Sequence, residues 1–142
     1  MNKSKQPGIK FESIFLVKEN FERKNTLKDN LKIDIHFEIN NDLEDERSAV
    51  ELQTFLKLID KDDNTLFNLN FSYVAIFSVV EKYKNMEMDS FIKNNAPALI
   101  FPYIRQHIQE VTTNAGLVPL ILPPMNLIAL INSDKKEHNE TM

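Results

Sequence analysis

Residues 31–40 (LKIDIHFEIN) alternate without a break: Leu31, Ile33, Ile35, Phe37 and Ile39 occupy one face, and Lys32, Asp34, His36 and Glu38 the other. A period of two is the signature of a strand with one buried and one wet face. Residues 65–80 (TLFNLNFSYVAIFSVV) repeat the pattern through Phe67, Leu69, Phe71, Tyr73, Ala75, Phe77 and Val79. From Val74 on, the second face turns apolar as well, so this end is expected to be covered on both sides. Residues 9–17 and 49–59 read as two more strands with noisier alternation. The joints at 24–30, 40–48 and 60–64 are rich in Asn, Asp, Glu and Lys. Four strands in sequence with polar joints predict an antiparallel meander. The chain has only two glycines, so its turns must rely on Asn and Asp for left-handed geometry.

Beyond residue 90 the period changes. Asn95 is placed as a helix N-cap and Pro97 falls in the first turn, where its missing N–H costs little. Ile100, Ile104, Ile108, Val111 and Ala115 then recur at helical spacing, and Gly116 stands where a helix ends in the left-handed region. Pro102 lies inside this pattern and is expected to bend the helix or open its first turns. Residues 117–125 (LVPLILPPM) form an extended apolar loop, 126–131 restart a short helix, and 132–142 are polar. The fold class is therefore α+β: four antiparallel strands, a long helix, a proline-rich apolar loop and a short C-terminal helix. At 142 residues the chain is one domain's worth, with residues 1–8 and 132–142 expected to be flexible ends.

Composition removes several function classes. There is no cysteine, hence no disulfide framework, zinc ribbon or thiol nucleophile. Net charge is −4 and no basic run exceeds Lys135-Lys136, which argues against nucleic acid as a partner. Residues 1–8 lack the apolar core of a signal peptide, and no apolar stretch approaches the roughly 20 residues needed to span a bilayer. A cytoplasmic protein without membrane insertion is the expectation. His36, His107 and His138 fall on a strand, a helix and the tail, without metal-ligand spacing. The run Asp60-Lys61-Asp62-Asp63-Asn64 resembles the start of a calcium loop, but Thr65 and Phe71 stand where glycine and glutamate are required, so it reads as a hairpin turn. Neither a phosphate-cradling glycine loop nor a nucleophile elbow is present, and the acidic run at Asp42, Glu44, Asp45 and Glu46 reads as a solvated turn. The expectation is a protein that is not an enzyme and needs no metal or cofactor. Ten phenylalanines point either to core filling or to an apolar surface that meets other chains.

The block 95–130 (NAPALIFPYIRQHIQEVTTNAGLVPLILPPMNLIAL) resembles a known family. Leu99 to Arg105 is similar to the LFPYAR segment that opens the long helix of SecB chaperones. Val118-Pro119-Leu120, Leu122, Pro124, Asn126, Ala129 and Leu130 resemble that family's F-P-x-L-x-L-x-P-V-N-F-x-A-L stretch. More loosely, Leu31, Ile33 and Ile35 resemble its second strand and Ala75-Ile76-Phe77-Ser78 its G-I-F-S. The resemblance implies an ATP-independent holding chaperone, assembled as a homotetramer (a dimer of dimers), that binds unfolded polypeptide in apolar grooves. Its client would be either a preprotein for export or the antitoxin of a toxin–antitoxin system. The alternative is a small-ligand or enzymatic protein that reuses the scaffold. Export chaperones of this family dock on the SecA motor through acidic side chains. Glu22 keeps one such position, but Lys18 stands where an acid is expected, Asn70 replaces a strand carboxylate and Asn68 an apolar neighbour. These departures weigh against SecA as a partner.

The apolar faces supply a client surface: Leu31, Ile33, Ile35, Phe71 and Tyr73 on the strands, and Leu120, Leu122, Met125 and Ile131 on the segment that must fold back toward the sheet. Prolines hold that segment extended, so receiving a client costs little entropy, and Met125 is an adaptable contact. The stripe Ile100, Ile104, Ile108 and Val111 is the candidate oligomer interface. Alternation alone leaves open which of these residues line a groove and which fill the core.

Overall fold

The computed structural model describes residues 8–26, 30–44, 47–79 and 88–131. The ends expected to be flexible, and with them His138, lie outside the described residues, apart from Gly8. Four strands, β1 (Ile9–Arg23), β2 (Lys32–Glu44), β3 (Arg47–Ile59) and β4 (Thr65–Val79), precede two helices, α1 (Met88–Asn94) and α2 (Ala96–Asn114). All four strands belong to one antiparallel sheet, in the order β1-β4-β3-β2. Only β2, β3 and β4 form a meander. β1 pairs with β4 and not with its sequence neighbour, so the expected four-strand meander is corrected to a Greek key. The connection from β1 to β2 thus carries the chain from one edge of the sheet to the other, and Lys24 N–H fixes its start on Leu66 O at 2.9 Å.

Strand β1 runs six residues past its expected end at Val17. Its alternation is broken by two bulges, between Phe11 and Ser13 and between Leu16 and Lys18, each of which flips the phase of the residues after it. Allowing for them, Phe11, Ile14, Leu16, Glu19, Phe21 and Arg23 pair with the odd-numbered residues of β4 and share one face. That face holds the core: Phe37, Val50, Leu52, Leu56, Leu69, Phe71, Ala75 and Phe77 are all nearly or wholly without solvent exposure.

The β3–β4 hairpin shows what the acidic run at 60–64 is for. The Asp60 carboxylate accepts N–H bonds from Asp62 and Asn64, each at 2.9 Å, and Asp63 takes φ 64°. The carboxylate is spent on its own turn, as the failed calcium spacing implied. Asn30, at φ 60°, turns the chain into β2 in the same way.

Helix α2 lies across the helix side of the sheet with Ile100, Ile104 and Ile108 fully buried. Each such side chain stabilises the fold by roughly 1.5–3 kcal/mol. Pro97 occupies the first turn as expected, while Asn95 at the N-cap makes no side-chain capping bond. The helix is continuous through Pro102, which is solvent-exposed; the carbonyl its missing N–H leaves behind belongs to Ala98, itself exposed. At the C-terminus, Gly116 adopts φ 79°, its N–H bonds Thr113 O at 3.1 Å, and Leu117 N–H bonds Thr112 O at 3.0 Å. This pair of bonds is the Schellman arrangement that the Gly116 position predicted. Helix α1 had no counterpart in the sequence reading; it packs Phe91 on Phe77 at 5.2 Å between ring centroids.

Candidate functional site

Beyond Gly116 the chain leaves α2 as the extended stretch 117–126, and its two ends fix its course. Leu120 N–H donates to Thr112 Oγ1 at 3.0 Å, near the C-terminus of α2. At the other end, Asn126 Oδ1 accepts from Ala129 N–H at 3.1 Å and starts one helical turn over 127–131. Ile128 and Ile131 of that turn line a cavity with Ile39 of β2 and Ile92 of α1. The segment therefore travels back along the β2 side of the sheet. Its prolines, Pro119, Pro123 and Pro124, are all exposed.

The predicted client residues divide along this line. Leu31, just before β2, Ile33 and Ile35 on it, and Leu120 and Met125 on the returning segment, keep part of their apolar surface in solvent; Ile33 is 46% exposed. Leu122 and Ile131, at 2% and 4%, are core residues. Exposed or half-buried apolar side chains thus stand both on the core-facing row of β2 and on the returning segment. Phe71 and Tyr73 lie elsewhere. Phe71 is buried with its ring 4.7 Å from that of His107, and Tyr73 faces Tyr103 at 6.3 Å, toward the β1 flank of α2. The alternation that joined them to Ile33 and Ile35 reported a shared sheet face, but α2 crosses that face and separates them.

The β1 flank has its own chemistry. Phe11 meets Phe77 and Tyr103 at 5.1 and 6.3 Å, and Phe21 meets Phe67 at 5.2 Å. His107 Nε2 lies 2.6 Å from Glu19 Oε1, joining the helix to the edge strand. Burial pushes the Tyr73 phenol above its ordinary pKa, helped by the nearby charges of Glu110 and Glu19, so it stays neutral and apolar in character. Around this cluster Leu16, Phe21, Leu99 and Tyr103 are about 40% exposed. The expected oligomer stripe is corrected here. Ile100, Ile104 and Ile108 have no exposed surface in the single chain, and Val111 packs against the same core. They hold α2 on its own sheet, and the outward side chains one step round the helix, Leu99 and Tyr103, are the ones left open.

Sequence reasoning missed Arg23. Its guanidinium bonds Ala115 O at the end of α2, Lys24 O and Thr26 O, so one side chain ties the edge strand, the helix end and the first residues of the crossing connection. A lone arginine closing a strand carries no periodic signal that could have announced this. Among the described residues, no helix packs on the opposite face of the sheet. Lys18, Glu22, Asn68 and Asn70 share that face by register, together with the stacked pair His36–Phe55 at 4.6 Å. Among the described residues no cluster of three or more His, Asp or Glu is arranged to hold a metal, and no helix is long and apolar enough to cross a membrane.

A family model described as preprotein translocase subunit SecB matches residues 2–138. The protein-export protein SecB of Desulfotalea psychrophila is 29% identical over 111 residues, which is 77% of this chain and 70% of the relative. That of Rhodospirillum centenum is 33% identical over 70 residues, 49% of this chain and 42% of the relative. Among solved structures, a SecB-like chaperone from Mycobacterium tuberculosis, in complex with a peptide from an antitoxin, superposes with a TM-score of 0.74 at 18% identity, covering 83% of this chain and 91% of that one.

Proposed function

This chain belongs to the SecB family of chaperones, and on that premise we propose that it holds non-native polypeptide, without ATP, in the groove on the β2 flank of α2. The observation that carries this reading is the half-open apolar strip Leu31, Ile33, Ile35, Leu120 and Met125. A folded chain gains nothing from leaving such a strip in water, whereas an extended client can cover it and supply the missing contacts. The exposed prolines keep the outer wall extended, so little ordering entropy is lost when a client arrives. The test is suppression of aggregation of a chemically denatured protein by the purified chain without nucleotide. A chain that leaves the aggregation rate unchanged at stoichiometric excess refutes the reading. A small molecule co-purifying at one per chain would favour the rival, a scaffold reused for ligand binding or catalysis.

Two further elements belong to the same proposal. The chain self-associates through its β1 flank, where Leu16, Phe21, Leu99 and Tyr103 are exposed together, into a tetramer built as a dimer of dimers in the cytoplasm. Its client is a dedicated antitoxin and not a preprotein handed to SecA. Lys18, Asn68 and Asn70 share the helix-free face with Glu22, so that surface lacks the concentrated negative charge a basic docking partner would seek. A pull-down with SecA and with an antitoxin encoded beside the gene separates the two: retention of SecA overturns the antitoxin assignment.

A further inference from the structure

The core-facing row of β1 does two things at once. Leu16 and Phe21 of that row are 39% and 44% exposed, on the flank proposed above for self-association. Glu19 and Arg23 of the same row reach α2: Glu19 meets His107 Nε2 at 2.6 Å, and the Arg23 guanidinium donates to Ala115 O. Ala115 immediately precedes Gly116, where the chain turns at φ 79° and leaves the helix as the returning segment. Leu117 N–H then donates to Thr112 O and Leu120 N–H to Thr112 Oγ1, each at 3.0 Å. The segment as far as Leu120 is thus bound to the last turn of α2, and Arg23 binds that turn to the sheet. Arg23 is itself well held. It pairs with Phe67 of β4, its Nε donates to Lys24 O at 2.8 Å, and a second nitrogen donates to Thr26 O at 3.4 Å. A planar guanidinium fork that meets three carbonyls keeps them in one relation, which the single ammonium of a lysine cannot do.

Resting on the holding function and the β1 association proposed above, we propose that Arg23 is a positioning residue that couples the two. A neighbour seated on Leu16 and Phe21 stiffens β1. Arg23 stands two residues from Phe21 on the same row, so the strand that is stiffened is the one that fixes its guanidinium. Arg23 in turn fixes the point from which Leu120 and Met125 are carried back toward β2. A segment held at its root has less freedom left to lose when a client arrives, so the assembled chain binds client more tightly than the dissociated one. Linkage requires the converse: bound client tightens assembly by the same factor. The Glu19–His107 contact cannot substitute for Arg23, because it holds α2 two turns before the segment begins.

The experiment uses the full-length chain and one probe, a reduced and alkylated protein that stays unfolded. Light scattering follows dissociation of the oligomer on dilution, with and without saturating probe. The parent should come apart at about fivefold lower concentration when the probe is bound, the lower end of usual coupling factors. Arg23→Met should come apart at one concentration in both cases while still binding the probe. Arg23→Lys, which keeps the charge and loses the fork, should behave as Arg23→Met does; full coupling in that variant would overturn the three-carbonyl latch. A probe-induced shift of equal size in the parent and in Arg23→Met, as a client bridging two chains would give, overturns the proposal as well. The parent alone supplies a second readout, in case Arg23→Met does not fold. Without probe, hydrogen exchange at the Leu117 and Leu120 amides should slow about fivefold on assembly; unchanged exchange sinks the coupling. If the probe binds but leaves the midpoint where it was, the coupling falls and the holding function stands. If the chain is monomeric throughout, the assembly falls and takes the coupling with it. If no probe binds at any concentration, the holding function itself falls.

Discussion

The two edge strands of the sheet are treated in opposite ways. β2 presents its apolar row to a returning segment that shelters it in part, and its helix-free row is charged throughout from Lys32 to Glu38 apart from His36. β1 has apolar side chains on both faces, with Phe15 on one, Leu16 and Phe21 on the other and Val17 at the bulge between, all of them about 40–50% exposed. A long edge strand that is apolar on both sides is a standing invitation to another chain. The two bulges in β1 twist it and change its phase but do not cover it. On the proposed reading, β2 is an edge for a transient guest and β1 an edge for a permanent neighbour.

That contrast can be broken at its hinge. Ile104 lies on the buried face of α2, between the two flanks, with no exposed surface. Ile104→Ala should lower unfolding stability by about 2–5 kcal/mol in a urea titration and impair both flanks together. A variant that lost only one of them would show that the flanks do not depend on a common support. Next in size, Leu16→Asp combined with Phe21→Asp should dissociate the oligomer, seen by light scattering, while far-ultraviolet circular dichroism stays unchanged. An oligomer that persists would move the interface off β1.

A third substitution separates surface from core on the β2 side. Leu122→Ser should cost about 2–4 kcal/mol, since it removes buried apolar volume and buries a hydroxyl. Ile33→Ser, at a half-exposed position, should stay within about 0.5 kcal/mol of the parent yet bind client several-fold more weakly. Equal stability losses at the two sites would mean that Ile33 is core and the groove is closed. The smallest effect belongs to the pair across the β1 flank. Glu19→Gln keeps a hydrogen-bonding group opposite His107 and should change stability by less than about 1 kcal/mol, because the carboxylate is about a third exposed. A larger loss would make that contact a principal tie between helix and edge.

Much of this architecture was legible beforehand. Alternation over 31–40 and 65–80 placed β2 and β4, the shift to helical spacing placed α2, and Gly116 marked its end. Periodicity reports which side of an element faces apolar company, however, and not which company. Phe71 and Tyr73 share a face with Ile33, and Ile104 lies on an apolar stripe, but the burial of Phe71 and Ile104 depends on where α2 crosses the sheet. The ordering of the strands was beyond local signals for the same reason: the polar residues 24–30 serve equally for a tight hairpin or for a passage across the sheet. Arg23 carries no pattern at all, and only its placement gives it meaning.

The pairing of β1 with β4 also sets a timetable for the nascent chain. β2, β3 and β4 can close as successive hairpins as they emerge, but Arg23 finds its partner only when Phe67 has been made, and Ile9 only when Val79 has. At translation rates of roughly 5–20 residues per second, the most exposed apolar strand of the molecule waits some seconds without a mate. For that interval a protein whose trade is sheltering unfinished chains is itself an unfinished chain in need of shelter.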